Sequence, residues 1–243
     1  MIGELETEIV YINGKIEGKE YYDSGELEFE GEYLNGQRNG KGKEYHKNGQ
    51  LKFEGEYLNE KRNGKGKEYY INGELEFEGE FLNGEKWNGK RKEYYDNGNL
   101  KFEGEYIDGK RNRKGKEYYY SSQLKFEGDF LNGKRNGKGK EYCDDGQLKF
   151  EDEYKDGERW NGKIKEYFDN GKLEFEAEYN NGKIKGKGKK YYDDGKLKFE
   201  GEYINGKRFR KGKKYNCFGK LEFEGIIFLN EKKKEKNIMI MVN

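Results

Sequence analysis

The tetrapeptide Leu-x-Phe-Glu occurs nine times, starting at Leu27, Leu51, Leu75, Leu100, Leu124, Leu148, Leu173, Leu197 and Leu221. The intervals are 24, 24, 25, 24, 24, 25, 24 and 24 residues. A period of this length marks an array of supersecondary units that bury their apolar faces only by stacking. Function is then expected on a repeated surface, not in one pocket.

Residues 27–49 show what one unit is. Leu27, Phe29, Gly31 and Tyr33 alternate with Glu28, Glu30 and Glu32, the period-two pattern of a half-buried strand. Asn35-Gly36-Gln37-Arg38-Asn39-Gly40 reads as a turn, because Asn-Gly steps accept positive φ. A second extended segment, Lys41-Gly42-Lys43-Glu44-Tyr45-His46, leads to another turn at Asn48-Gly49. Each unit is thus a β-hairpin, and successive hairpins join as an antiparallel meander. A lone hairpin is marginal in water. Stacking of Leu-Phe-Tyr sets supplies the core, and Gly31 and Gly42 leave room for neighbouring rings. The glutamates of the first strand lie near Lys41 and Lys43 of the second, on a solvated face that sets register. Tyr45 and its equivalents have the wrong parity for the apolar face, so a bulge near Lys43-Glu44 is expected to turn them inward.

The fold expected is all-β: an elongated single-layer meander of about ten stacked hairpins. Residues 1–26 read as a degenerate N-terminal capping repeat, 27–225 as the array, and 226–243 as a degenerate cap with a basic and apolar tail. The apolar run Ile238–Val242 is compatible with a cap, a self-association segment or an unstructured end. The two 25-residue intervals each carry an inserted tryptophan, Trp87 and Trp160, either packed over a longer turn or displayed as partner anchors.

Composition agrees with a thin ordered sheet. Hydrophobic residues make up 31% and charged residues 41%, yet aromatics reach 16%, unlike disordered chains. Fifty basic residues nearly cancel 49 acidic ones, so no global charge favours nucleic acid. Two cysteines are too few for a disulfide framework and suit an intracellular setting, cytoplasmic or peripheral at a membrane or the cytoskeleton. No secretory signal and no transmembrane run is apparent.

No catalytic, metal or cofactor site is legible, and an enzyme is not expected. His46 and Cys143 occupy a slot held by tyrosine in other repeats, and Cys217 sits in a turn slot. The sharper signal is charge. Arg38, Arg62, Lys86, Arg111, Arg135, Arg159 and Arg208 share one slot, broken by Ile184, while Asp23, Asp96, Asp144, Asp145, Asp169, Asp193 and Asp194 lie in the opposite turns. The expectation is a basic rim and an acidic rim, the former a candidate surface for anionic lipid.

The segments Phe29-Glu30-Gly31-Glu32-Tyr33, Asn35-Gly36 and Gly40-Lys41-Gly42 resemble MORN repeats (membrane occupation and recognition nexus). The Glu-Tyr-Tyr-x-Asn-Gly-x-Leu form resembles the variant type of this repeat. The resemblance spans roughly Leu5 to Phe228. It implies a β-ribbon with right-handed twist, and roles in scaffolding, dimerisation, membrane apposition and binding of acidic phospholipids. The leading expectation is a non-enzymatic scaffold for protein partners. Its alternatives are a peripheral binder of anionic phospholipids and an antitoxin-like bacterial protein. Self-pairing as a homodimer through a terminal repeat stays open.

Overall fold

A computed structural model describes residues 7–12, 15–228 and 238–241. The described residues are strands and turns without a helix. The chain divides into two units, Met1–Ser122 and Gln123–Asn243. The first holds β1 (Thr7–Ile12), β2 (Lys15–Tyr21), β3 (Leu27–Leu34), β4 (Gln37–Tyr45), β5 (Leu51–Leu58), β6 (Lys61–Tyr69), β7 (Leu75–Leu82), β8 (Glu85–Tyr94), β9 (Leu100–Ile107) and β10 (Lys110–Tyr118). The second holds β11 (Leu124–Leu131), β12 (Lys134–Tyr142), β13 (Leu148–Lys155), β14 (Glu158–Tyr167), β15 (Leu173–Asn180), β16 (Lys183–Tyr191), β17 (Leu197–Ile204), β18 (Lys207–Tyr215), β19 (Leu221–Phe228) and β20 (Ile238–Met241). Within each unit every strand pairs antiparallel with the next, as the hairpin reading requires. The Ile238–Met241 run adds a last strand against β19. The basic stretch at 232–236 and Leu5-Glu6 lie outside the described residues.

Turn chemistry sets the hairpins. Asn35 and Gly36 have φ of 52° and 78°, positive at both central residues as a two-residue hairpin turn demands. Asn or Asp recurs at the first of these positions in each later repeat, and its side chain tolerates the left-handed region.

The register then sorts side chains onto two faces. Phe29 opposes Glu44, Gly31 opposes Gly42, and Tyr33 opposes Arg38. Directly opposed residues share a face, so Phe29, Tyr33, Arg38 and Glu44 lie together. Phe29, Phe53, Phe77, Phe102, Phe126 and Phe150 are fully buried although the sheet has one layer. Glycine makes this fit: a Cβ on Gly42 would lie 2.6 Å from the Phe29 ring, so only glycine lets the ring lie flat on the backbone. In unit 1 the rings interlock edge-on, Phe29 to Tyr57 at 5.2 Å and Phe53 to Phe81 at 5.0 Å. Such contacts add roughly 0.5–1.5 kcal/mol each beyond their burial.

Two expectations need correction. The register shift falls between Glu44 and Tyr45, but the extra residue, Lys52, sits in the next strand. Tyr45 therefore stays on the opposite, charged face, where its hydroxyl donates to Glu30 at 2.7 Å. Leu51 pairs with Tyr45 across that bulge. The leucines thus share the tyrosines' face instead of packing beside the phenylalanines.

The tryptophan hairpins use another register. Phe53 opposes Glu68, but Phe77 opposes Arg91 and Phe150 opposes Ile164. The insertion slides each Phe strand by two residues relative to its even-numbered partner, so parity is kept and the ring stays inside.

Candidate functional site

The aromatic face carries a ladder of charge. Arg62 bridges two carboxylates: its Nε and Nη2 donate to Glu44 at 3.0 and 2.6 Å, and its Nη1 donates to Glu68 at 2.7 Å. Tyr57 also donates to Glu44, at 2.6 Å. The pattern repeats along unit 1. Arg38 holds Glu20, Lys86 holds Glu68 and Glu76, and Arg111 holds Glu93 and Glu117. In unit 2 Arg159 and Arg135 both reach Glu141, at 2.8 and 3.8 Å. Each guanidinium also covers a phenylalanine, Arg38 over Phe29 at 4.2 Å and Arg111 over Phe102 at 4.0 Å. Arg and Glu thus form the lid that a single-layer sheet otherwise lacks.

Electrostatics follows from this packing. Burial pushes the Glu44 carboxyl up, but hydrogen bonds and charge from Arg62, with help from Tyr57, outweigh it and hold the group at about 2. Glu20, Glu68 and Glu93 are also lowered, against burial, by their Arg or Lys partners and, for Glu20 and Glu93, by tyrosine hydroxyls. Tyr57 is pushed up by burial and by Glu44.

The cations singled out in the sequence therefore do not project from a turn. Arg38, Arg62, Lys86, Arg111, Arg135, Arg159 and Arg208 lie one residue inside the even-numbered strands, half-buried on the aromatic face. Their side chains oppose Tyr or Phe in the register, which draws them inward. The glutamate row beginning at Glu20 and Glu44 was the residue set the sequence reading missed. Its signal was parity: Glu44 stands two residues from Gly42 and so shares the glycine's face. The aspartates of the inter-hairpin turns, by contrast, are exposed.

The opposite face is a trough. In unit 1 it encloses about 1110 Å³ over a glycine floor, walled by rows of Glu30, Lys43, Glu54 and Lys67. Unit 2 has a trough of about 910 Å³ between Lys163 and Ile226. The ion pairs of the unit 1 trough are exposed: Lys67 meets Glu78 at 3.3 Å with 44% and 53% of the side chains open, against 15% and 12% for Arg62 and Glu44. Exposed pairs contribute roughly 0–1 kcal/mol, so they exchange readily for a partner's charges.

Trp87 and Trp160 are half-buried, and the Trp160 ring lies beside Gly182 with Lys155 4.6 Å above it. A ring nitrogen of His46 lies 3.3 Å from the Tyr69 carbonyl, standing in for Tyr22, whose hydroxyl donates to the Tyr45 carbonyl at 2.7 Å. Burial pushes the Cys143 thiol up, away from reactivity. Among the described residues no group of His, Cys, Asp or Glu has the arrangement of a metal site, and no helix is long and apolar enough to cross a membrane.

Family comparison agrees with this geometry. The MORN repeat model matches residues 29–51, 53–74, 102–123, 126–148 and 199–215, and the MORN repeat variant matches 15–35, 87–108, 160–181 and 184–205. The chain belongs to the MORN repeat proteins. The variant matches at 87–108 and 160–181 each begin at one of the two tryptophans. No curated protein matches the sequence. Among solved structures it is similar to a chain of the Photorhabdus luminescens Tc holotoxin pore, at 13% identity and a TM-score of 0.24, over 94% of this chain and 14% of that one. A second likeness is to TcdB2-TccC3 without its hypervariable C-terminal region, at 15% identity and a TM-score of 0.24, over 83% of this chain and 13% of that one. The chain spans only about a seventh of those chains.

Proposed function

We propose that this protein is a non-catalytic scaffold that binds extended polypeptide segments of protein partners along its charged trough. The observation that carries the reading is the contrast between the two faces. In unit 1 the arginines of the aromatic face are committed to glutamates and ring faces, whereas the trough presents exposed Lys and Glu rows over bare glycine backbone. Family membership supports an interaction role of this general kind.

The test is a random peptide library panned on the whole chain. Enriched peptides are expected to bind at least tenfold more weakly to a trough variant carrying Lys43→Gln, Glu54→Gln, Lys67→Gln and Glu78→Gln. Failure to enrich any peptide, or equal binding to the variant, contradicts the reading. Vesicles of acidic phospholipid form the second arm. Salt-sensitive binding lost on Arg38→Gln, Arg62→Gln and Arg111→Gln would instead establish lipid docking through the arginine slot.

A further inference from the structure

The charge ladder inverts at the distal end of unit 2. In the repeat of Arg62, the carboxylates stand 18 residues before it and 6 residues after it, at Glu44 and Glu68. Around Arg208 those positions are Lys190 and Lys214. The backbone frame is unchanged. Arg208 opposes Tyr203, both lysines oppose Phe199, and the guanidinium lies 4.2 Å over the Phe199 ring. The ammonium groups are drawn sideways, Lys190 to Glu174 at 3.1 Å and Lys214 to Glu222 at 2.7 Å. Among the described residues no carboxylate pairs with Arg208, and the residue across from it in the register is Tyr203.

A second observation points the same way. Tyr203 is only 5% exposed, like Tyr57 at 4%. Tyr57 donates its proton to Glu44. Tyr203 stands across from Arg208 in the same way, but no carboxylate sits between them among the described residues. A tyrosine and a guanidinium thus flank the place that a carboxylate fills in the Arg62 repeat.

We propose that the β17–β18 repeat binds the carboxylate of an acidic side chain from a protein partner, seated as Glu44 sits between Tyr57 and Arg62. The chain supplies its own template for the ligand: a planar carboxylate taking the Nε and Nη2 donors of one guanidinium and a tyrosine O–H. The site lies on the face opposite the trough. It goes beyond the trough reading, and either stands if the other fails.

Hexaglutamate peptide is the probe, titrated into the whole chain at low salt while the Nε–H resonance of Arg208 is followed. The resonance is expected to move saturably. Arg208→Gln and Lys190→Glu should each weaken peptide binding at least tenfold, the latter because it installs the internal carboxylate of the template and so keeps the fold. The charge-matched control Lys187→Gln with Lys211→Gln, on the trough face, should leave the affinity within twofold. Absence of any shift overturns the proposal, as does an equal loss in the control. Inorganic phosphate moving the same resonance at lower concentration than the peptide overturns the carboxylate assignment.

Discussion

At the scale of single residues, stability turns on where glycine stands. Gly42 lies under the Phe29 ring, and a methyl there has no space. Gly42→Ala is expected to destabilise by about 1–3 kcal/mol in urea unfolding, the usual cost of overpacking. Ser122 presents the reverse case. It takes a φ of 72° in the slot that Gly49 fills with a φ of 78°. Non-glycine residues in this region cost on the order of 1 kcal/mol. Ser122→Gly is therefore expected to stabilise by about 1 kcal/mol, read as a raised urea midpoint with unchanged slope. The Asn-Gly turns were legible from residue type alone, because backbone need and side chain coincide there. The side on which Tyr45 lies was not. It depends on an extra residue, Lys52, in the neighbouring strand, and no pattern within the tyrosine's own strand reports it.

At the scale of the hairpin, the Arg–Glu ladder decides behaviour. Arg62 and Glu44 are nearly closed to solvent, so removing one partner leaves an uncompensated charge. Arg62→Gln is expected to cost roughly 3 kcal/mol, and the pair Arg62→Gln with Glu44→Gln less than the single change, a coupling that a double-mutant cycle measures. Acid sensitivity has the same origin. A carboxyl held below its unfolded value adds stability above that value and loses it as pH falls toward the folded one. For Glu44 the window runs from 4.5 down to about 2. The unfolding free energy should fall by on the order of 2–3 kcal/mol across that window for this group alone, and Glu44→Gln should flatten the dependence. The hairpins themselves were legible in the alternation of Phe29, Gly31 and Tyr33 with glutamates. The ladder was hidden because glutamate is common on both faces, and composition does not tell a lid from a solvated wall. The two-residue register slide at Trp87 was also hidden, since an insertion of one residue does not say which strand absorbs it.

At the scale of the molecule, identical units divide the labour between two faces. One face is sealed by aromatic rings under paired charges, and the other is left open as a trough. Contacts between nearest neighbours dominate such arrays, so damage should stay local. Within unit 1, Gly42→Ala is expected to lower amide-exchange protection in β3–β6 more than in β9–β10. The array and its period were plain in the sequence. The sense of its charge was not: the slot read as a basic rim is part of the core's cover, because each cation is drawn onto a ring by its neighbours. The measurement that tests this division most directly is the Nε–H spectrum of the arginines with their solvent-exchange rates. Dispersed, slowly exchanging signals for Arg38, Arg62 and Arg111 are expected, each shifting when its glutamate partner is changed to glutamine. Overlapped, rapidly exchanging signals at the free-arginine position would mean that these cations stand in solvent on a rim, and the division between a sealed face and an open trough would be wrong.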